Sequence, residues 1–169
     1  MSFPTGGRLT LGDFALGAVR LVERAAKYNV QAPLIGGRCV DLRVLAVPEA
    51  PYCETGPVYL RFNSGPIEVF YSAPFQVPIL YLSPDEYRCC SEGGAANPLD
   101  TMITCTEHPI TGLPTLYLHP CQTAALMAER LPTDPLDYMI KWIGAYQALI
   151  PVLRNALLPA DFFRESEEE

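Results

Sequence analysis

Residues 58–82 read VYLRFNSGPIEVFYSAPFQVPILYL. Val58, Leu60 and Phe62 alternate with Tyr59, Arg61 and Asn63, and Ile67, Val69 and Tyr71 flank Glu68. A period of two puts the apolar set on one face of a half-buried strand. Asn63-Ser64-Gly65-Pro66 is turn chemistry between two such strands. Val77 to Leu82 is a third, more apolar strand, whose Pro78 points to a sheet edge or a strand start. Upstream, Val40, Leu42, Val44 and Ala46 alternate with Asp41 and Arg43. Together these segments predict a four-stranded antiparallel meander.

Helices are expected on both sides of the sheet. Leu11, Phe14, Ala15, Ala18, Val19 and Val22 follow a 3.6-residue period, with Asp13, Arg20, Glu23, Arg24 and Lys27 on the opposite face. Thr10 with Asp13 resembles a capping box at its start. Helical periodicity returns from Gln122 to Leu131, which places Cys121 where a helix begins. A last helix starts with Asp134 as N-cap and Pro135 in its first turn. Its apolar stripe is Leu136, Met139, Ile140, Ile143 and Ile150, and Pro151 breaks or kinks it. The fold class is therefore α+β, a four-stranded antiparallel sheet with flanking helices, in one domain over residues 1–169 whose acidic tail, 164–169, is a frayed end.

Between sheet and helices the pattern fails. Residues 91–100 are rich in Gly, Ala, Asn and Pro, and the loop around Pro48-Glu49-Ala50-Pro51 is equally unassignable. From Cys105 to Cys121 the chain carries Pro109, Gly112, Pro114 and Pro120, which predicts an ordered irregular segment with at most one short strand, Thr115 to Leu118. Long ordered loops tend to be functional.

Composition narrows the function classes. A chain that is 49% hydrophobic and 18% charged is long enough to bury a core without disulfides or metal. No apolar run reaches the length of a membrane span, and the first ten residues lack the apolar block of a secretory signal. The six cysteines are accordingly expected in a reducing, cytoplasmic setting as free thiols. A net charge of −7 with no basic cluster argues against nucleic acid. Lysine is scarce, Lys27 and Lys141 against ten arginines, which fits biased composition and would also limit self-modification.

Cys121 is the candidate nucleophile. A thiol reacts as its thiolate, and the free N–H groups and partial positive charge at a helix start favour that form. The preceding His119-Pro120 supplies a group able to support an oxyanion or accept a proton, with Pro120 fixing the turn. The bland alternative makes Cys121 a packing residue and His119 an ordinary loop histidine. A cysteine protease would need a base oriented by a third group, and only His108 and His119 exist. A zinc site from Cys105, His108, His119 and Cys121 has four suitable donors at an uncommon spacing. No cofactor is expected.

The segments Thr104 to Pro114 (TCTEHPITGLP) and Leu118 to Thr123 (LHPCQT), with Met127, resemble the active-site region of the autophagy E2-like enzymes, more narrowly the autophagy-related protein ten family. The likeness extends upstream to Val69–Ser72 and Phe75–Tyr81 and downstream to Tyr138, Trp142, Leu157-Leu158-Pro159 and Phe163, about residues 58 to 163 in all. The protein-three sibling family shares His-Pro-Cys but carries a long acidic insertion absent here. The resemblance implies a ubiquitin-conjugating-enzyme-like fold. It further implies that Cys121 takes a twelve-type ubiquitin-like modifier as a thioester from a seven-type activating enzyme and passes it to a lysine of a five-type acceptor protein. Ordinary ubiquitin-conjugating enzymes place an Asn before the cysteine, and this chain has none. By the resemblance, His119 matches the polar residue that replaces it, and Tyr71, or alternatively Tyr59, matches a supporting tyrosine. The N-terminal third departs from the family pattern. A non-catalytic interaction module of the same fold, and the zinc-binding domain, stand as the alternatives.

Overall fold

In the computed structural model, the structure describes residues 6–32, 39–48, 56–62, 67–84, 102–149, 158–160, 162 and 163. Helix α1 spans Leu11–Gln31. Strands β1 (Leu42–Ala46), β2 (Val58–Phe62), β3 (Ile67–Ser72) and β4 (Val77–Leu82) follow. Then come β5 (Ile103–Glu107), β6 (Pro114–Leu118), a short 3-10 turn over Pro120–Gln122, α2 (Thr123–Arg130) and α3 (Pro135–Leu149).

Thr10 caps α1 as its spacing predicts. Its side chain accepts from the Asp13 backbone N–H at 3.1 Å, and its hydroxyl donates to the Asp13 carboxylate at 2.7 Å. The buried face is rotated from the predicted stripe. Phe14, Gly17, Ala18, Leu21, Ala25 and Tyr28 are buried, whereas Leu11 and Val19 are exposed. Gly17 is the reason: a Cβ there would lie 2.6 Å from the Pro135 carbonyl oxygen, so only glycine lets α1 cross α3 this closely. At its far end, the Asn29 amide donates to the Val40 carbonyl at 2.7 Å and accepts from the Val40 N–H at 2.6 Å, which ties the helix to the start of the sheet.

The sheet is antiparallel throughout, but it has six strands instead of the expected four, in the order β1-β2-β3-β4-β6-β5. The predicted meander is its first four. Of the two added strands, β6 is the short strand expected at Thr115 to Leu118, begun one residue earlier, and β5 was not expected. The prolines of this stretch fall where strands tolerate them: Pro109 lies in the turn, and Pro114 is the first residue of β6, opposite Glu107. The turn closes with His108 N–H on the Leu113 carbonyl at 2.8 Å and Gly112 N–H on the His108 carbonyl at 2.9 Å, with Gly112 at φ 68°. Cys105 therefore lies in a strand, opposite Leu116. Pro78 sits in an interior strand without loss because β4 pairs with β6 only at Tyr81 and Leu82.

One face of the sheet builds the core. Leu60, Phe62, Ile67, Val69, Tyr71, Leu80, Leu82 and Leu118 join Phe14 and Leu21 of α1 and Met139, Trp142 and Ile143 of α3 in a single buried cluster. Each such side chain contributes about 1.5–3 kcal/mol of burial. On the other face lie Tyr59, Arg61, Glu68, Phe70, Tyr81 and Tyr117. The α3 start is also as predicted: the Asp134 carboxylate accepts from the N–H groups of Leu136 (2.8 Å) and Asp137 (3.1 Å). Among the described residues no helix is long and apolar enough to cross a membrane. The Asn63–Pro66 turn, residues 49–51 and 91–100, Cys53, Cys89, Cys90, Ile150, Pro151, Leu157 and the 164–169 tail lie outside the described residues.

Candidate active site

Strand β6 delivers the chain to Cys121. Its last residue, Leu118, is buried opposite Ile103, and the next N–H, of His119, donates to the Met102 carbonyl at 2.8 Å. His119 then takes an extended conformation (φ −63°, ψ 125°), and Pro120 with its fixed φ opens the 3-10 turn. The ring bends back so that Nδ1 accepts from the Cys121 backbone N–H at 3.2 Å. In the neutral ring this assigns the proton to Nε2, which is then an N–H donor. Cys121 is a free, exposed cysteine in that turn. It stands two residues ahead of α2, which begins at Thr123, not at Gln122, and ends at Arg130.

Two aromatic rings hold the imidazole. Tyr117 lies 6.0 Å from it between centroids, and Phe75 meets it edge-on at 5.7 Å. Phe75 is 42% exposed and is carried by the turn between β3 and β4. That turn is tight: Gln76 donates to the Ser72 carbonyl at 2.7 Å and takes a left-handed φ of 56°. The Gln76 carbonyl in turn accepts from Leu9 N–H at 2.8 Å.

The N-terminal segment packs against the helix that follows the thiol. A Cβ on Gly7 would lie 1.8 Å from the Ala124 carbonyl oxygen, and Gly7 has φ 70°, so glycine alone allows this backbone to press on α2. The Tyr138 hydroxyl donates to the Gly7 carbonyl at 2.7 Å, and the Tyr71 hydroxyl donates to the Leu9 carbonyl at 2.9 Å. Burial pushes both hydroxyls above the ordinary tyrosine value, so both stay protonated as donors. Tyr71 is 4% exposed, on the core face, with its ring 5.7 Å from Phe14. Tyr59 lies on the opposite face, stacked on Phe70 at 4.7 Å, and its oxygen accepts from Arg61 Nη2 at 3.3 Å.

The four donors of the zinc alternative are not assembled. His108 stands at the far end of the β5–β6 hairpin from His119. Its Nδ1 accepts from the N–H groups of Ile110 and Thr111, each at 3.2 Å, and its Nε2 bonds the Glu68 carboxylate. Both ring nitrogens thus have partners, which leaves no lone pair for a metal. Among the described residues no group of three or more His, Cys, Asp or Glu side chains is arranged to hold one. A cavity of about 440 Å³ opens beside Glu68, His108 and Tyr81 at this end of the hairpin, away from the thiol.

Three features of the site escape a reading of spacing: Phe75, the Gly7–Leu9 segment, and a buried bond between Thr123 and Tyr146. The Gly6-Gly7 pair was the available signal for the second, since paired glycines mark backbone that needs positive φ or close approach.

The family described as autophagocytosis associated protein, active-site domain, matches residues 65–156 of this chain. That span runs from β3 to α3 and includes His119, Cys121, Thr123 and Phe75. Among similar proteins, the ubiquitin-like-conjugating enzyme ATG10 of Homo sapiens is 26% identical over 117 residues, covering 60% of this chain and 53% of the relative. The enzyme of the same name from Dictyostelium discoideum is 28% identical over 127 residues, covering 59% of this chain and 54% of the relative. The chain spans about half the length of the curated relatives it matches.

Proposed function

The chain belongs to the family of autophagocytosis-associated proteins with this active-site domain, and from that premise we propose that it is an E2-like conjugating enzyme that carries a ubiquitin-like modifier as a thioester on Cys121. The observation that carries the reading is the exposed thiol in a 3-10 turn whose own amide is held by His119. Its position within the matched segment supports it, as does the name shared by the two relatives. The fold is read accordingly as a variant of the ubiquitin-conjugating enzyme, one domain with two added strands.

The reaction has two steps. The Cys121 thiolate attacks the thioester carbonyl of a modifier held by a seven-type activating enzyme; a new C–S bond forms, and the activating enzyme's thiolate leaves. A lysine amine of a five-type acceptor then attacks the same carbonyl of the twelve-type modifier. The amide bond forms, the Cys121 thiolate departs, and the amine's proton passes to solvent or base. Each step passes through a tetrahedral oxyanion, and His119 Nε2–H is the donor assigned to it. Tyr71 supports the site at one remove, through the Leu9 carbonyl and the segment that packs on α2. A reaction of this kind keeps its thiol reduced, which assigns the protein to the cytoplasm.

The test incubates the protein with activating enzyme, ATP and modifier. Wild type is expected to form an adduct that a thiol reductant removes, and Cys121→Ser an oxyester that resists reductant, or no adduct. A wild type that stays unmodified with all partners active, or a Cys121→Ala protein with full conjugating activity, overturns the reading.

A further inference from the structure

Thr123 is the first residue of α2, two positions after the thiol, and it is 1% exposed. A buried threonine hydroxyl needs a partner, because leaving it without one costs about 1–3 kcal/mol. The partner comes from another helix: Thr123 Oγ1 lies 2.6 Å from the hydroxyl of Tyr146 on α3, itself 2% exposed. The ring of Tyr146 is held edge-on against Trp142, with centroids 5.0 Å apart. Thr123 is also bound through its backbone, whose N–H donates to the Pro120 carbonyl across the 3-10 turn. Cys121 is thus enclosed between two fixed points, His119 on one side and Thr123 on the other.

We propose that Tyr146 is a positioning residue for Cys121: through Thr123 it anchors the first turn of α2 to α3 and so fixes the turn that presents the thiol. The inference rests on the reading of Cys121 as the acyl carrier, and it names a residue in the other long helix that acts on it.

The observations fit no simpler account of Tyr146 equally well. As a packing residue alone, a phenylalanine would fill the same space without a hydroxyl to satisfy, and the hydroxyl is buried. Burial raises the Tyr146 proton affinity most, and the Thr123 bond lowers it. Tyr138, two turns earlier on the same helix, bonds the Gly7 carbonyl, and a Cβ on Gly7 would collide with the α2 backbone at Ala124 and Ala128. Helix α3 therefore braces α2 from two sides, directly by Tyr146 and through Gly7 by Tyr138.

The test measures alkylation of the intact, folded chain by iodoacetamide, resolved by peptide mass so that Cys121 is followed separately from exposed Cys105 and Cys39. Tyr146→Phe and Thr123→Val are each expected to change the Cys121 rate by about fivefold, on the scale of one buried hydrogen bond, with the Cys105 rate unchanged. Thr123→Ser keeps the hydroxyl and is expected to restore the wild-type Cys121 rate. The double variant Thr123→Val/Tyr146→Phe is expected to behave like the slower single variant, because the two side chains act as one unit. Wild-type Cys121 rates in either single variant overturn the proposal, as do effects that multiply in the double variant. If one variant fails to fold, the other decides alone. Alkylation needs no partner protein, so a missing thioester would overturn the proposed function while these rates still judge Tyr146.

Discussion

The chain's two histidines, His108 and His119, each precede a proline and stand at opposite ends of one β-hairpin. Each uses Nδ1 to accept a backbone N–H two residues onward, Ile110 in one case and Cys121 in the other, at 3.2 Å in both. Each ring meets two aromatic rings: Phe70 at 5.7 Å and Tyr81 at 6.0 Å for the first, Phe75 at 5.7 Å and Tyr117 at 6.0 Å for the second. The difference lies at Nε2. In His108 it bonds Glu68, which is 6% exposed and also receives Arg61. Among the described residues no carboxylate bonds His119 Nε2, and the residue whose amide this ring holds bears an exposed thiol. One turn device serves twice: at His108 it fastens the hairpin, and at His119 we propose that it supports chemistry.

Substitutions can separate the two roles. The largest effect is expected from His119→Ala, which removes the proposed oxyanion donor and should slow discharge to the acceptor lysine by about a hundredfold, more than it slows loading, in single-turnover assays. Equal slowing of both steps would count against an oxyanion role. Next comes Glu68→Ala, which leaves His108 Nε2 without its acceptor and Arg61 without its carboxylate. Because Arg61 is half in solvent, the cost should stay near 2 kcal/mol in urea unfolding, while Cys121 alkylation holds near wild type. Should His108→Ala slow discharge as much as His119→Ala, the contrast drawn between them fails. The smallest effect is expected from Phe75→Ala. It removes an exposed ring from the His119 edge and should slow discharge by about threefold, the scale of one aromatic contact, with stability unchanged.

The legible parts of the fold were those where local pattern and tertiary demand agree. Thr10 with Asp13 and Asp134 with Pro135 set helix starts by local hydrogen bonds, and both appear as their spacing predicts. Strands β1 to β3 follow from alternation of apolar and polar residues, and β4 from a short apolar run between turn signals. Strand β6 was legible, but β5 and its pairing with β6 were hidden because Pro109, Gly112 and Pro114 resemble breakers, whereas they occupy a turn and a strand start. The buried face of α1 was misplaced for a related reason: Gly17 has no hydropathic weight, yet it marks the closest helix crossing.

At the site, His119 and Cys121 were legible because three consecutive residues define one turn. The supports were not, because they are distant in sequence. Leu9 is held by Tyr71 across 62 residues, Gly7 by Tyr138 across 131, and Thr123 by Tyr146 across 23. No local period encodes such pairs. The zinc alternative shows the converse: four suitable donor types at an uncommon spacing allowed His108 and His119 to meet, and a hairpin of two five-residue strands holds them at opposite ends.

The most direct measurement maps the modifier's attachment point. Wild-type protein loaded by activating enzyme and ATP is digested under non-reducing, mildly acidic conditions, and the modifier's C-terminal remnant is located by mass. The account predicts the remnant on the peptide that contains Cys121 and on neither the Cys39 nor the Cys105 peptide. A remnant on either of those exposed thiols, with Cys121 unmodified, would contradict it.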